Sequence, residues 1–196
     1  MKKIAVFASG SGSNFQAIND AINEKSLDAE ISLLVCDKPG AYVIERAEEA
    51  GVEYFTFFPK QYETKVEFET EILKQLKARD IEFIVLAGYM RLIGCTLLAE
   101  YDGRIVNIHP SLLPAFPGKD AIGQALEAQA GVSGVTVHYV DSGMDTGPII
   151  AQKAVMIKKE DTRETLQQRI QKVEHELFPR VLQDLFNQEK VGGVQS

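Results

Sequence analysis

KIAVFASGSGSNFQAI, Lys3 to Ile18, holds a strand, a glycine loop and a helix start in sixteen residues. Lys3 to Ala8 is a short apolar run that ends at Ser-Gly, which reads as a buried strand. Phe15, Ile18, Ala21 and Ile22 then recur at helical spacing. Between the two, Gly10 and Gly12 form a loop whose backbone N–H groups can approach an anion at the start of a helix. Ser11, Ser13 and Asn14 add hydroxyl and amide donors, a set that suits a phosphate monoester. A dinucleotide loop is the rival reading, with Asp37 available to hold a ribose. Phe15 stands where that fingerprint needs a third glycine, and its bulk opposes close helix–strand packing.

The same alternation runs outward along the chain. Strands are predicted at Ile31–Cys36, Val52–Phe57, Ile81–Ala87 and Arg104–Ile108. Helices are predicted at Tyr42–Ala50, capped by Gly51, at Tyr62–Arg79, with Val66, Ile72, Leu73 and Leu76 inward, and at Leu92–Glu100. A helix over Ala121–Ala130 precedes two strands with no helix between them. The first, Gly134–Val140, alternates Val135, Val137 and Tyr139 with polar residues and reads as half-exposed. The second is Pro148–Ile157. A long helix from Thr162 to about Asn187 closes the chain, and Pro179 inside it should kink or interrupt it. These elements predict one α/β domain over 1–196: a Rossmann-like, mainly parallel twisted sheet with helices on both faces and an antiparallel C-terminal segment.

Composition narrows the function classes. The chain has 196 residues, 45% hydrophobic and 25% charged, as soluble globular proteins do. Its net charge of -7 opposes a phosphate-backbone reader, so no nucleic-acid partner is predicted. No apolar run approaches the ~18 residues of a membrane span, and the N-terminal run is too short for a signal-peptide core. Cys36 and Cys95 are far apart and fit no metal spacing, and no His, Asp, Glu or Cys pair does so convincingly, so no metal is predicted. A reducing, cytoplasmic setting fits the free thiols.

Two further segments carry chemistry. In RIVNIHPSLLPAFPG, Arg104 to Gly118, Asn107 and His109 fall two apart and share one face of a strand at its carboxyl end. Pro110, Pro114 and Pro117 stiffen the loop beyond the strand. A carboxamide and a protonated imidazole can both donate to an oxyanion. In VDSGMDTGPII, Val140 to Ile150, Asp141 or Asp145 could approach His109, although Asp and Gly suit plain turn chemistry equally well. His138 and His175 read singly as structural or solvated.

FASGSGSNFQAI, LAGYMRLIG, VNIHPSLLPAFPG, GVTVHYVDSGMDTGPIIAQ and VEHELFP, in that order along nearly the whole chain, resemble the phosphoribosylglycinamide formyltransferases of purine synthesis. The length fits the free-standing bacterial type. Methionyl-tRNA formyltransferase is similar in the SLLP and D-x-G-P-I segments but carries an extra nucleic-acid-binding domain, for which no room is expected here. Formyltetrahydrofolate hydrolase, which usually carries an N-terminal regulatory domain, and a non-catalytic nucleotide-binding module are the alternatives.

The resemblance implies formyl transfer from 10-formyltetrahydrofolate to glycinamide ribonucleotide, by a monomer or homodimer without a metal. It implies that Asn107, His109 and Asp145 are catalytic. It places Gly12, Ser13 and Asn14 on the substrate phosphate and Glu174 on its ribose. Met90, Arg91, Leu92, Ile93 and Asn107 would line the folate pocket, with Val140, Asp141 and their neighbours to Asp145 as its lid. Lys65 and Arg104 correspond to positions near the folate or the phosphate. On this resemblance 1–100 is a phosphate-binding half and 101–196 a folate-binding and catalytic half. Many family members have His where this chain has Asp120, so position 120 receives no role.

Overall fold

A computed structural model describes residues 1–192, with side chains through 188. The elements are β1 (Lys2–Ala8), α1 (Ser13–Asn23), β2 (Ala29–Cys36), α2 (Tyr42–Glu49), β3 (Tyr54–Thr56), α3 (Lys65–Lys77) and β4 (Phe83–Leu86). They continue with α4 (Cys95–Glu100), β5 (Ile105–His109), α5 (Ala121–Glu127), β6 (Val132–Tyr139), β7 (Ile149–Met156) and α6 (Arg163–Gly192). The strands form one seven-stranded sheet ordered β3-β2-β1-β4-β5-β6-β7. β1 to β5 pair in parallel, whereas β6 and β7 join antiparallel.

Alternation along each strand feeds two apolar layers. Ile4, Val6 and Ala8 of β1 meet Phe15 and Ile18 of α1, Val43 of α2, and Leu177 and Phe178 of α6. Ala5 and Phe7 meet Phe68, Ile72 and Leu76 of α3 and Leu97 of α4 on the opposite face. The chain runs outward from β1 through β2 to β3, then returns to β4 beside β1. That reversal leaves a crevice at the strands' carboxyl ends, where open α/β sheets bind ligands.

Several expectations need correction. Val66 is 53% exposed, and α3 buries Phe68, Glu69, Ile72 and Leu76 instead. Helix α3 starts only after Thr64, which caps it by accepting the Glu67 N–H. Val66 lies two residues before Phe68, hence roughly 200° around the helix. Strand β6 is not half-exposed: Gly134 to His138 are all buried. Val135 and Val137 face the α6 layer. Thr136, on the other face, lies under the proline-rich loop, donating to Ser111 O (2.7 Å) and accepting from Leu113 N (3.1 Å). The pattern showed polar residues, but their partners come from another segment. Residues 92–94 are loop, and helix α4 begins at Cys95. Pro179 does not interrupt α6, which stays helical on both sides of it.

Candidate active site

The strand ends deliver most of the anticipated residues to one cleft of about 670 Å³. Gly12, Ser13 and Asn14 arrive from the β1–α1 turn. Met90, Arg91, Leu92 and Ile93 come after β4, and Asn107 and His109 end β5. Val140, Asp141 and Asp145 come from the β6–β7 loop, and Glu174 from α6. Lys65 is not among the lining residues; it opens α3. Arg104 stands at the amino end of β5, the end away from the cleft. Its guanidinium donates to the carbonyls of Glu82 and Glu100.

Helix α1 starts at Gly12, whose φ of 73° is left-handed and which offers no capping side chain. The first N–H groups of the helix therefore lack an intrahelical acceptor, the arrangement that binds anions. The loop is braced from behind, with Arg46 Nε donating to Ser11 O (2.8 Å) and Val43 N to Gly10 O (3.1 Å). Beside it, Asn14 Nδ2 donates to Glu174 Oε2 at 3.4 Å, while Asn14 Oδ1 is buried without a partner. Burial pushes the Glu174 carboxyl up to about 7, with the Asn14 bond opposing the rise. A buried acid and an unfilled amide oxygen thus stand side by side on the cleft lining.

On β5, period-two alternation sends Val106 and Ile108 into the α6-side layer and Ile105 into the α3–α4 layer. Asn107 and His109 share the Ile105 face but lie nearer the carboxyl end, at the cleft. His109 Nε2 lies 2.8 Å from Phe116 O, a carbonyl that can only accept, so Nε2 carries a proton. Its Nδ1 lies 3.5 Å from Asp145 Oδ2. Gly118 N donates to that same Oδ2 at 2.7 Å.

Sequence reasoning missed His138. It is opposite Asn107 in the antiparallel β5–β6 pairing, and its Nε2 is 3.2 Å from Asn107 Nδ2. Its Nδ1 is 2.7 Å from Tyr139 O and must be the protonated nitrogen. Burial lowers the His138 pKa, favouring the neutral ring. Neutral Nε2 then accepts from the Asn107 amide, fixing which end of the carboxamide is nitrogen. The second amide hydrogen remains for the cleft. Strand register, not local sequence, creates this contact.

Two buried carboxylates hold the 88–94 segment. Asp37 accepts from Arg91 Nε (2.7 Å) and Ser9 Oγ (2.5 Å), and Ser9 Oγ in turn accepts from Met90 N (2.9 Å). Glu69 accepts from Gly94 N at 2.6 Å. Asp141 turns inward on its own loop, accepting from Gly143 N (2.9 Å) and Thr146 Oγ1 (2.7 Å), bonds that hold its carboxyl below the usual range. Met90, Leu92 and Met144 are exposed apolar side chains on the cleft lining, suited to a flat aromatic ligand.

Residues 2–182 match the formyl transferase family, and the chain belongs to that family. It is 61% identical over 185 residues to the phosphoribosylglycinamide formyltransferase of Bacillus subtilis (strain 168), covering 94% of this chain and 95% of that one. The solved glycinamide ribonucleotide transformylase 1 of Geobacillus kaustophilus superposes with a TM-score of 0.92 at 63% identity, covering 94% of this chain and 98% of its own. The phosphoribosylglycinamide formyltransferase structure from Bacillus halodurans gives 0.92 at 56% identity, covering 94% and 95%. The chain also matches the trifunctional purine biosynthetic protein adenosine-3 of Drosophila pseudoobscura pseudoobscura, 47% identical over 92% of this chain but only 13% of that protein. The fold expected from the sequence is the fold of these neighbours.

Proposed function

We propose that this formyltransferase moves the formyl group of 10-formyltetrahydrofolate to the amine of glycinamide ribonucleotide, releasing tetrahydrofolate. The observation that carries the reading is the joint presentation, in one cleft, of a helix start without a capping side chain and an Asn–His–Asp cluster. The bacterial relatives at 61% and 63% identity are named for formyl transfer to this acceptor, which supports that half of the reading. The folate fits the apolar wall of Met90, Leu92 and Met144, with Ile93 and Val140 beside them. On this reading the first N–H groups of α1, from Ser13 and Asn14, hold the phosphate, and Glu174 takes the ribose hydroxyls.

The acceptor amine attacks the formyl carbon; a C–N bond forms and the formyl oxygen becomes negative. Asn107 donates the amide hydrogen that His138 leaves free. His109, whose Nε2 is engaged by Phe116 O, donates through Nδ1 as the imidazolium. Asp145 stands beside Nδ1, with its Oδ2 3.5 Å away. Through a water it takes the proton of the attacking nitrogen and returns it to the folate nitrogen, whose bond to the formyl carbon then breaks. On this reading the half 1–100 supplies the phosphate loop and one wall of the folate pocket, and the catalytic cluster comes from Asn107, His109 and Asp145 of the other half.

The test monitors deformylation of 10-formyltetrahydrofolate by absorbance, with and without glycinamide ribonucleotide. Turnover that requires the acceptor supports the transferase. Equal turnover without it makes the protein a hydrolase and overturns the reading.

A further inference from the structure

The segment 116–120 adopts an unusual backbone. Phe116, Gly118 and Asp120 all have left-handed φ, at 54°, 75° and 59°. Non-glycine residues there are strained, and such a run persists only where its surroundings hold it. The product of the run is the Gly118 N–H aimed at Asp145 Oδ2 (2.7 Å).

Asp120 is where the segment is fastened. Its carboxylate caps α5 by accepting from Gly123 N at 3.1 Å. A Cβ at position 123 would collide with that carboxylate, so glycine permits the cap. The same carboxylate takes two bonds from Arg163, Nη1 to Oδ2 at 2.8 Å and Nη2 to Oδ1 at 2.5 Å. Arg163 is the first residue of α6, so the fork ties the start of α5 to the start of α6. The Arg163 guanidinium holds the Asp120 carboxyl below the usual range, so both partners stay charged through neutral pH. Gln124 adds bonds to the carbonyls of Pro117 (2.9 Å) and Lys119 (2.8 Å). With only seven residues, α5 cannot hold such a loop by its own helical stability.

We propose that the Asp120–Arg163 pair is a positioning latch: it holds the 116–120 segment so that Gly118 N–H fixes Asp145 beside His109. Both members are about half exposed, so the pair adds little to global stability. Its effect is geometric, and the effect on turnover rests on the catalytic role given to Asp145 above.

Arg163→Met removes the fork and leaves the α5 cap intact; Asp120→Asn keeps a good cap and removes the charge. Arg163→Lys restores charge without the bidentate geometry. Amide exchange at Gly118, read by NMR, reports the latch without turnover. Both neutral variants are expected to speed Gly118 exchange by about tenfold or more as local opening becomes easier. They are expected to lower kcat by roughly five- to tenfold, less than the ~10²-fold cost of a full 1 Å misplacement. KM for both substrates should change little, and Arg163→Lys should recover part of each loss. Unchanged Gly118 exchange in Arg163→Met overturns the latch. So does a rise in KM for glycinamide ribonucleotide at unchanged kcat, which would make Arg163 a substrate contact. Faster exchange with unaltered kcat leaves the latch standing and overturns the catalytic role of Asp145 instead.

Discussion

Glu174→Gln should make the protein more stable and a poorer enzyme, and the stability gain should depend on pH in a defined direction. The carboxyl is 7% exposed, and Asn14 is its hydrogen-bond partner. In the folded chain it titrates at about 7, against 4.5 for an unperturbed glutamate. Between those two values the folded state holds a proton that the unfolded state has released. Stability contributed by the protonated acid is therefore complete below pH 4.5 and is lost as pH rises to about 7. At about 1.36 kcal/mol per pH unit the loss amounts to roughly 3 kcal/mol, after which it is flat. Glutamine is never ionised, and its amide can both accept from Asn14 Nδ2 and donate to the unfilled Asn14 Oδ1. The variant should match the parent near pH 4.5 and exceed it by about 3 kcal/mol at pH 8, or roughly 6–12 °C in Tm for a chain this size. Urea denaturation at both pH values, beside KM for glycinamide ribonucleotide, measures this. A stability difference that is the same at both pH values, or that grows toward acid, would refute the burial argument.

Other perturbations separate the parts of the site. His138→Phe keeps the ring volume but removes the acceptor that orients Asn107; kcat should fall about tenfold or more, while the Kd for each substrate is nearly unchanged, as titration calorimetry would show. Gly12→Ala forces a side chain into left-handed backbone and against Val43. It should weaken glycinamide ribonucleotide by tenfold or more, by an order-of-magnitude reckoning of the strain, and spare folate affinity; equal losses for both would indicate general damage. Glu69→Ala strips Gly94 N of its acceptor and frees the 88–94 wall. Folate Kd should rise while phosphate-ligand binding holds, and a normal folate Kd in fluorescence titration would sink that assignment.

The sequence was most legible where physics is local. The apolar run at Ile4–Ala8, the glycines after it and the helical spacing from Phe15 predict β1, a glycine turn and α1, all of which form. Asn107 and His109 share a face because a strand has period two, whatever surrounds it. The features that stayed hidden depend on pairing across the sheet or between loops. His138 reads as structural or solvated until β6 is laid antiparallel to β5, which puts its Nε2 against Asn107. Thr136 looks exposed until the proline-rich loop folds over it. Asp120 gains its partner from Arg163, 43 residues away. Val66 misled because an apolar residue in the first turn looks inward if the helix is started too early. The fate of Lys65 and Arg104 rested on family correspondence alone, and the fold sets both outside the cleft lining.

Stabilisation of the oxyanion by Asn107 and His109 is probed without interference from product release by single-turnover formyl transfer in Asn107→Ala and His109→Ala beside the parent. The Kd for both substrates should be measured on the same preparations. Loss of a preorganised donor should slow the chemical step by about 10²-fold or more while each Kd stays within a few fold. Near-parental single-turnover rates in either variant would contradict that role and move the chemistry to other groups in the cleft.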